Sequence, residues 1–329
     1  MRYFASLAHE RFPPDDLLKQ AVEAEQAGFD GVVCSDHFQP WWTDDTAPAE
    51  SGMAWAWLGA AGQVTSRVAL GTAVLPVVHR YNPAVVAQFM ATMEVMFPGR
   101  TFFGVGSGEA LNEVPCGMDW PSGEEQLART DEALQIVTRL LDGERVSFDG
   151  RYFRTNDAVL WTRPERRPPI VLSAFHPHAA RLAGRLADGI WSLADPETVP
   201  GLIEEYEAGC EEAGREKGDV VLQTNFSWAE TDEAALDGCR EWKGTVPDEF
   251  YVDDWHDPAE MQRYAQQKVS DEEYLAGAIV SSDPAEHVRR IKEIEELGAT
   301  TVVLMNVSGK DPHAALKVYG EQVLPKLRS

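Results

Sequence analysis

Asp36-His37 sets a carboxylate directly beside an imidazole. Imidazole titrates near neutrality, so a histidine can take up and return a proton at working pH. Trp41 follows at once and offers a flat apolar surface. Further along, Gly104-Val105-Gly106-Ser107-Gly108 delivers Glu109. Glycines let backbone N–H groups come close to a ligand. A carboxyl placed there acts as a general acid if burial raises its pKa. Plainer roles are also open. His37 can serve only to cap its loop by hydrogen bonding, and Glu109 can be a helix-start glutamate favoured by the helix dipole. The glycine spacing lacks the GxGxxG of a dinucleotide fold, which excludes a Rossmann reading.

The elements that carry these residues weigh between the two kinds of role. Apolar β-rich runs occur at residues 4–8, 31–35, 68–75, 101–106, 170–174, 189–193, 220–226 and 300–305. Helical patterns alternate with them, as in Leu17, Leu18, Ala21, Ala24 with Gly28 behind. Near-continuous apolar strands between helices predict a parallel sheet covered on both faces. Eight such units predict an α/β fold, a (β/α)8 TIM barrel with insertions, as a single domain over residues 1–329. Asp149-Gly150 between alternating residues predicts a small hairpin excursion near 146–155. The acidic, aromatic stretch near 231–281 reads as an insertion or lid. In such barrels the active site forms at the C-terminal ends of the strands. His37 follows the second strand and Glu109 the fourth, so both belong at one mouth, which favours proton chemistry.

Composition bounds the partners. The 329 residues carry a formal net charge of −25, which argues against nucleic acid as a partner. No run approaches the ~20 apolar residues of a membrane span. Met1-Arg2-Tyr3-Phe4-Ala5 leads straight into a strand, without the layout of a signal peptide, which predicts a cytoplasmic protein. Cys34, Cys116, Cys210 and Cys239 match no zinc spacing and read as reduced thiols. No metal site is expected, and the partner is a small-molecule substrate.

The residues resemble a known family. Ser35-Asp36-His37-Phe38-Gln39-Pro40-Trp41, Gly71-Thr72-Ala73-Val74-Leu75, Arg80-Tyr81-Asn82-Pro83-Ala84 and Gly104 through Glu113 look like the luciferase-like deazaflavin oxidoreductases. Among these they are most similar to the F420-dependent glucose-6-phosphate dehydrogenases. Leu182-Ala183-Gly184-Arg185-Leu186-Ala187-Asp188-Gly189 is a further mark. The resemblance implies F420 as cofactor and a homodimer. It implies that His37 takes a hydroxyl proton as hydride leaves carbon. Glu109 would be the acid serving the ring nitrogen side, and Trp41 would pack against the reaction centre. Asp36 would contact the cofactor. Ala73 and Val74 would form a bulge with a non-proline cis peptide against the ring. Ser107, Gly108 and Asn112 would line the cofactor, and Ala174, Phe175 and His176 would approach its phosphate tail.

The departures matter as much. The family's sugar-phosphate dehydrogenases surround the substrate phosphate with two lysines and an arginine. Those positions fall near Pro196, Val252 and Gly277, none of them cationic. A phosphate dianion without such partners is costly to bury. The expectation is therefore an F420-dependent dehydrogenase for an alcohol or sugar hydroxyl, not for glucose 6-phosphate. Phe175-His176 stands where the family has two glycines. Trp191, Trp228, Trp242, Phe250, Tyr251 and Trp255 either shape an apolar pocket or simply pack the lid. Two other readings stay open. One is an FMN-dependent monooxygenase of the same superfamily, and the other an F420-binding protein without dehydrogenase activity.

Overall fold

A computed structural model of the protein describes residues 1–45 and 47–329. Among the described residues there are eleven strands: β1 (Arg2–Leu7), β2 (Gly31–Cys34), β3 (Ala69–Pro76), β4 (Thr101–Gly106), β5 (Val146–Asp149), β6 (Arg154–Ala158), β7 (Ile170–Ser173), β8 (Gly189–Leu193), β9 (Asp219–Ser227), β10 (Ile279–Val280) and β11 (Thr301–Asn306). Eight of them pair in parallel in the order β1, β2, β3, β4, β7, β8, β9, β11. The pairing of β11 back onto β1 closes the ring. These are the eight apolar runs of the sequence, and the closed (β/α)8 barrel follows from them.

The inside of the barrel is packed solid. Phe4, Val33, Phe102, Trp191, Val221 and Val303 come from six different strands and are buried against one another. Phe4 and Phe102 meet edge to face with ring centroids 5.3 Å apart. Trp191 lies above them and donates its indole N–H to Gln223 Oε1 at 3.2 Å, as a buried tryptophan needs. A filled barrel leaves a ligand only the mouth.

The surrounding helices begin where the sequence marks them. Pro14, Pro83, Pro177 and Pro284 each stand in the first turn of a helix, where a missing N–H costs nothing. Asn82 and Asp283 cap two of these by accepting from Ala84 N and Ala285 N at 2.9 Å each. Gly28 ends the first helix in the left-handed conformation, with φ 96°. No described helix is long and apolar enough to cross a membrane.

Gly184 shows how tightly two helices are fitted. Helix Pro177–Leu186 lies on helix Val199–Ala213, and a Cβ at Gly184 would come within 2.1 Å of the Tyr206 carbonyl oxygen. Backbone cannot give way as a side chain does. Gly184→Ala is expected to destabilise by about 1–3 kcal/mol through overpacking. Thermal unfolding reads this as a Tm lower by a few degrees, and an unchanged Tm would refute the close approach.

Residues 146–158 form the antiparallel β5–β6 hairpin, with Asp149 opposite Arg154. Among the described residues four short helices lie between β9 and β10, Asp232–Asp237, Glu249–Val252, Pro258–Lys268 and Asp271–Gly277, with a tighter helical turn at Arg240–Thr245. The stretch ends in β10, which pairs in parallel with Phe226 and Ser227 of β9. Two residues carry no alternation, so the sequence gives no sign of this strand. The aromatics of the stretch divide. Phe250 and Trp255 pack with Tyr264, with centroids 5.0–5.5 Å apart, whereas Trp242 and Tyr251 face the barrel mouth.

Candidate active site

The C-terminal ends of the strands surround a cavity of about 690 Å³. That volume lies in the range of small-molecule and cofactor sites. His37, on the turn after β2, is at its centre. Its Nε2 stands 3.5 Å from Glu10 Oε1 and 3.5 Å from Glu109 Oε2. Its Nδ1 is 3.2 Å from the Gln39 carbonyl oxygen. A carbonyl only accepts, so Nδ1 carries a hydrogen there and Nε2 is the nitrogen turned toward the two carboxyl groups. The turn itself is fastened from outside, because Ser51 Oγ donates to the His37 carbonyl at 2.6 Å.

Asn112 ties this turn to Glu109. Its Oδ1 accepts from the N–H groups of Phe38 at 2.8 Å and Gln39 at 3.2 Å. Its Nδ2 donates to Glu109 Oε2 at 3.2 Å. Glu10 is buried and accepts from Ser35 Oγ at 2.8 Å. Trp41 lies 5.4 Å from the His37 ring, and Tyr251 5.6 Å from Trp41, centroid to centroid. Phe175 continues this aromatic edge at 5.7 Å from Tyr251.

On the opposite wall β3 bulges between Thr72 and Leu75, and the Ala73–Val74 peptide is cis. Ser107 and Gly108 follow β4, with Gly108 at φ 89°, a conformation suited to glycine. Asp36 lines the cavity, and its Oδ2 has no hydrogen-bond partner among the described residues. Two helices start at the rim. Gly123 opens Gly123–Leu141, and Phe175-His176 leads into Pro177–Leu186. Of the catalytic and cofactor-binding residues expected from the sequence, all share the cavity wall except Ala174, which is buried.

The charges here are lopsided. Glu10, Asp36, Glu109, Asp195, Glu197 and Glu273 line the cavity, against Arg80 as the one arginine or lysine among the described lining residues. Arg80 is already engaged, in an ion pair with Glu113 and 3.3 Å from Asp36 Oδ1. Burial raises the Glu109 carboxyl above its ordinary range and the Glu10 charge adds to this, while His37 and Arg80 pull it down. Burial likewise raises Asp36 against the pull of Arg80, and lifts Glu113 to about 7.

Glu10, Arg80 and Glu113 are the site residues that the sequence reading did not single out. Glu10 lies just past the end of β1, so the strand-end rule reaches it once β1 is treated like the later strands. Arg80 and Glu113 meet only in three dimensions, and no local pattern pairs them.

A family model for luciferase-like monooxygenases matches residues 1–301. An F420-dependent glucose-6-phosphate dehydrogenase of Microbacterium testaceum is 41% identical over 336 residues, covering 100% of this chain and 98% of the relative. One of Nakamurella multipartita is 40% identical, covering 100% and 97%. A solved structure, an F420-dependent secondary alcohol dehydrogenase in complex with an F420–acetone adduct, is similar at 34% identity and a TM-score of 0.94, covering 100% of this chain and 99% of that one.

Proposed function

The chain belongs to the luciferase-like monooxygenase family, and we propose that within it the protein is an F420-dependent dehydrogenase that oxidises the hydroxyl-bearing carbon of an uncharged alcohol or sugar. One observation carries this reading: His37 Nε2 faces a cavity that holds carboxyl groups and aromatics but, among the described lining residues, no unengaged arginine or lysine.

The residues present fit the cofactor. Asp36 offers an unpartnered acceptor oxygen at the wall. Ala73, Val74, Ser107, Gly108 and Asn112 would hold the ring. Phe175, His176 and the helix start behind them would face the acidic tail, since a helix N-terminus favours negative charge. When bound, F420 supplies the two-electron hydride acceptor. The chain supplies the proton handling. His37 Nε2 accepts the hydroxyl proton, and the imidazolium so formed is stabilised by the buried Glu10. Glu109, with its raised pKa, keeps its proton to higher pH than a free glutamate and so serves as the acid. Trp41 and Tyr251 close the apolar side and limit water.

Similarity to F420-dependent relatives over the whole chain supports F420 over FMN. The test is fluorescence titration of the protein with oxidised F420 and with FMN. F420 is expected to bind selectively, and selective FMN binding would overturn the reading. A cytoplasmic homodimer completes the proposal. The exposed Val64, Val85, Val95 and Met96 on neighbouring helices support a second copy as the partner. Sedimentation at the 36.4 kDa of a single chain would count against it.

A further inference from the structure

Arg80 is the point where three strand-end segments meet. Its side chain is 8% exposed, on the segment that follows β3. Nη2 donates to the Asp36 carbonyl oxygen at 2.5 Å, on the turn after β2. Nη1 pairs with Glu113, on the segment after β4, and the Arg80 backbone N–H donates to Glu113 Oε2 at 3.1 Å. The Gly108 turn closes over this carboxylate, since a Cβ at Gly108 would lie 2.8 Å from Glu113 Oε1. One planar guanidinium therefore braces the Asp36-His37 turn, the bulged strand and the cofactor-side glycine turn together.

The charge count adds a second consequence. Two buried carboxyl groups, Asp36 and Glu113, compete for one guanidinium. Tyr81, whose hydroxyl is 3.3 Å from Asp36 Oδ1, together with His37, Cys34, Cys116, His79 and Glu109, are the other titratable groups that face this cluster among the described residues. None of them supplies a second fixed positive charge.

We propose that Arg80, held by Glu113, is a positioning unit that sets both the placement and the charge of Asp36 toward the cofactor. This rests on the F420 reading above. The tests are run on the full chain with Arg80→Lys and Glu113→Gln, both folded by circular dichroism. Lysine keeps the charge but cannot reach three acceptors as a planar fork does. Oxidised F420 is expected to bind Arg80→Lys about tenfold more weakly or worse, the worth of a lost charge-assisted hydrogen bond. The KM for the alcohol is expected to stay within about twofold, as for a group that does not touch it.

Glu113→Gln leaves all of Arg80 to Asp36. The acidic limb of F420 binding should then move to lower pH, which a merely structural role would not cause. In the cofactor-free Arg80→Lys protein, amide exchange should speed up at residues 36–39 and 107–113 but not in the 146–158 hairpin. Parent-like F420 affinity and exchange in both variants would overturn the proposal, and so would loosening spread evenly over the chain. If the parent binds no F420, the functional reading falls, while the exchange comparison still decides whether Arg80 braces these segments.

Discussion

His37→Ala is expected to lower kcat for the alcohol substrate by about 10²–10⁴-fold, the usual worth of a positioned proton acceptor. F420 affinity should change little, because on the proposed reading Asp36, Asn112 and the Gly108 turn would hold the cofactor side without the imidazole. The ring is held by the Gln39 carbonyl at Nδ1, and its Nε2 faces Glu10 and Glu109. That geometry leaves Nε2 as the ring nitrogen able to accept the proton. The neighbouring acid predicts the shape of the pH profile. An acid must be protonated, so activity falls on the alkaline side as pH rises through the raised pKa of Glu109. Glu109→Gln should therefore lower kcat and abolish the alkaline limb. Steady-state rates across pH for the parent and the two variants decide this. A His37→Ala enzyme that turns over like the parent would remove the histidine from the chemistry.

The barrel was legible in the sequence because parallel strands are buried on both faces, and each run of Val, Ile and Leu marks one directly. The strand-end rule then brought His37 and Glu109 to one mouth, where the structure sets them 3.5 Å apart. What stayed illegible depended on three-dimensional pairing. Asn112 was expected at the cofactor, yet its hydrogen bonds also splint the turn after β2 to Glu109. Such a link joins two loops distant in sequence and leaves no periodic trace. Glu10 was within reach of the same rule, at the end of the first strand. The aromatics of residues 231–281 divide between cavity and local core only by which way each ring points. Composition alone does not carry that.

Glucose 6-phosphate is expected to be a poor substrate, with kcat/KM at least about 10³-fold below that of the best uncharged secondary alcohol or sugar. That factor corresponds to roughly two to three missing charge-assisted hydrogen bonds. The relatives described as glucose-6-phosphate dehydrogenases make this the sharper claim, since overall similarity points the other way. The wall decides it. Pro196, Val252 and Gly277 all line the cavity, so the three positions face the substrate space with no positive charge. Asp195 and Glu197 flank Pro196 and add repulsion for a dianion. Arg80 cannot compensate, because Asp36 and Glu113 already hold it. The wall also permits the converse experiment. A Cβ at Gly277 meets no atom within 4 Å, and Val252 is 48% exposed, so both sites have room for a longer side chain. Gly277→Arg combined with Val252→Lys should raise kcat/KM for glucose 6-phosphate and leave the uncharged substrate little changed. The gain should shrink as salt is added, because partly exposed charges are screened. A parent enzyme that already prefers the sugar phosphate would show that the phosphate finds partners elsewhere, and the charge argument built on this wall would fail with it.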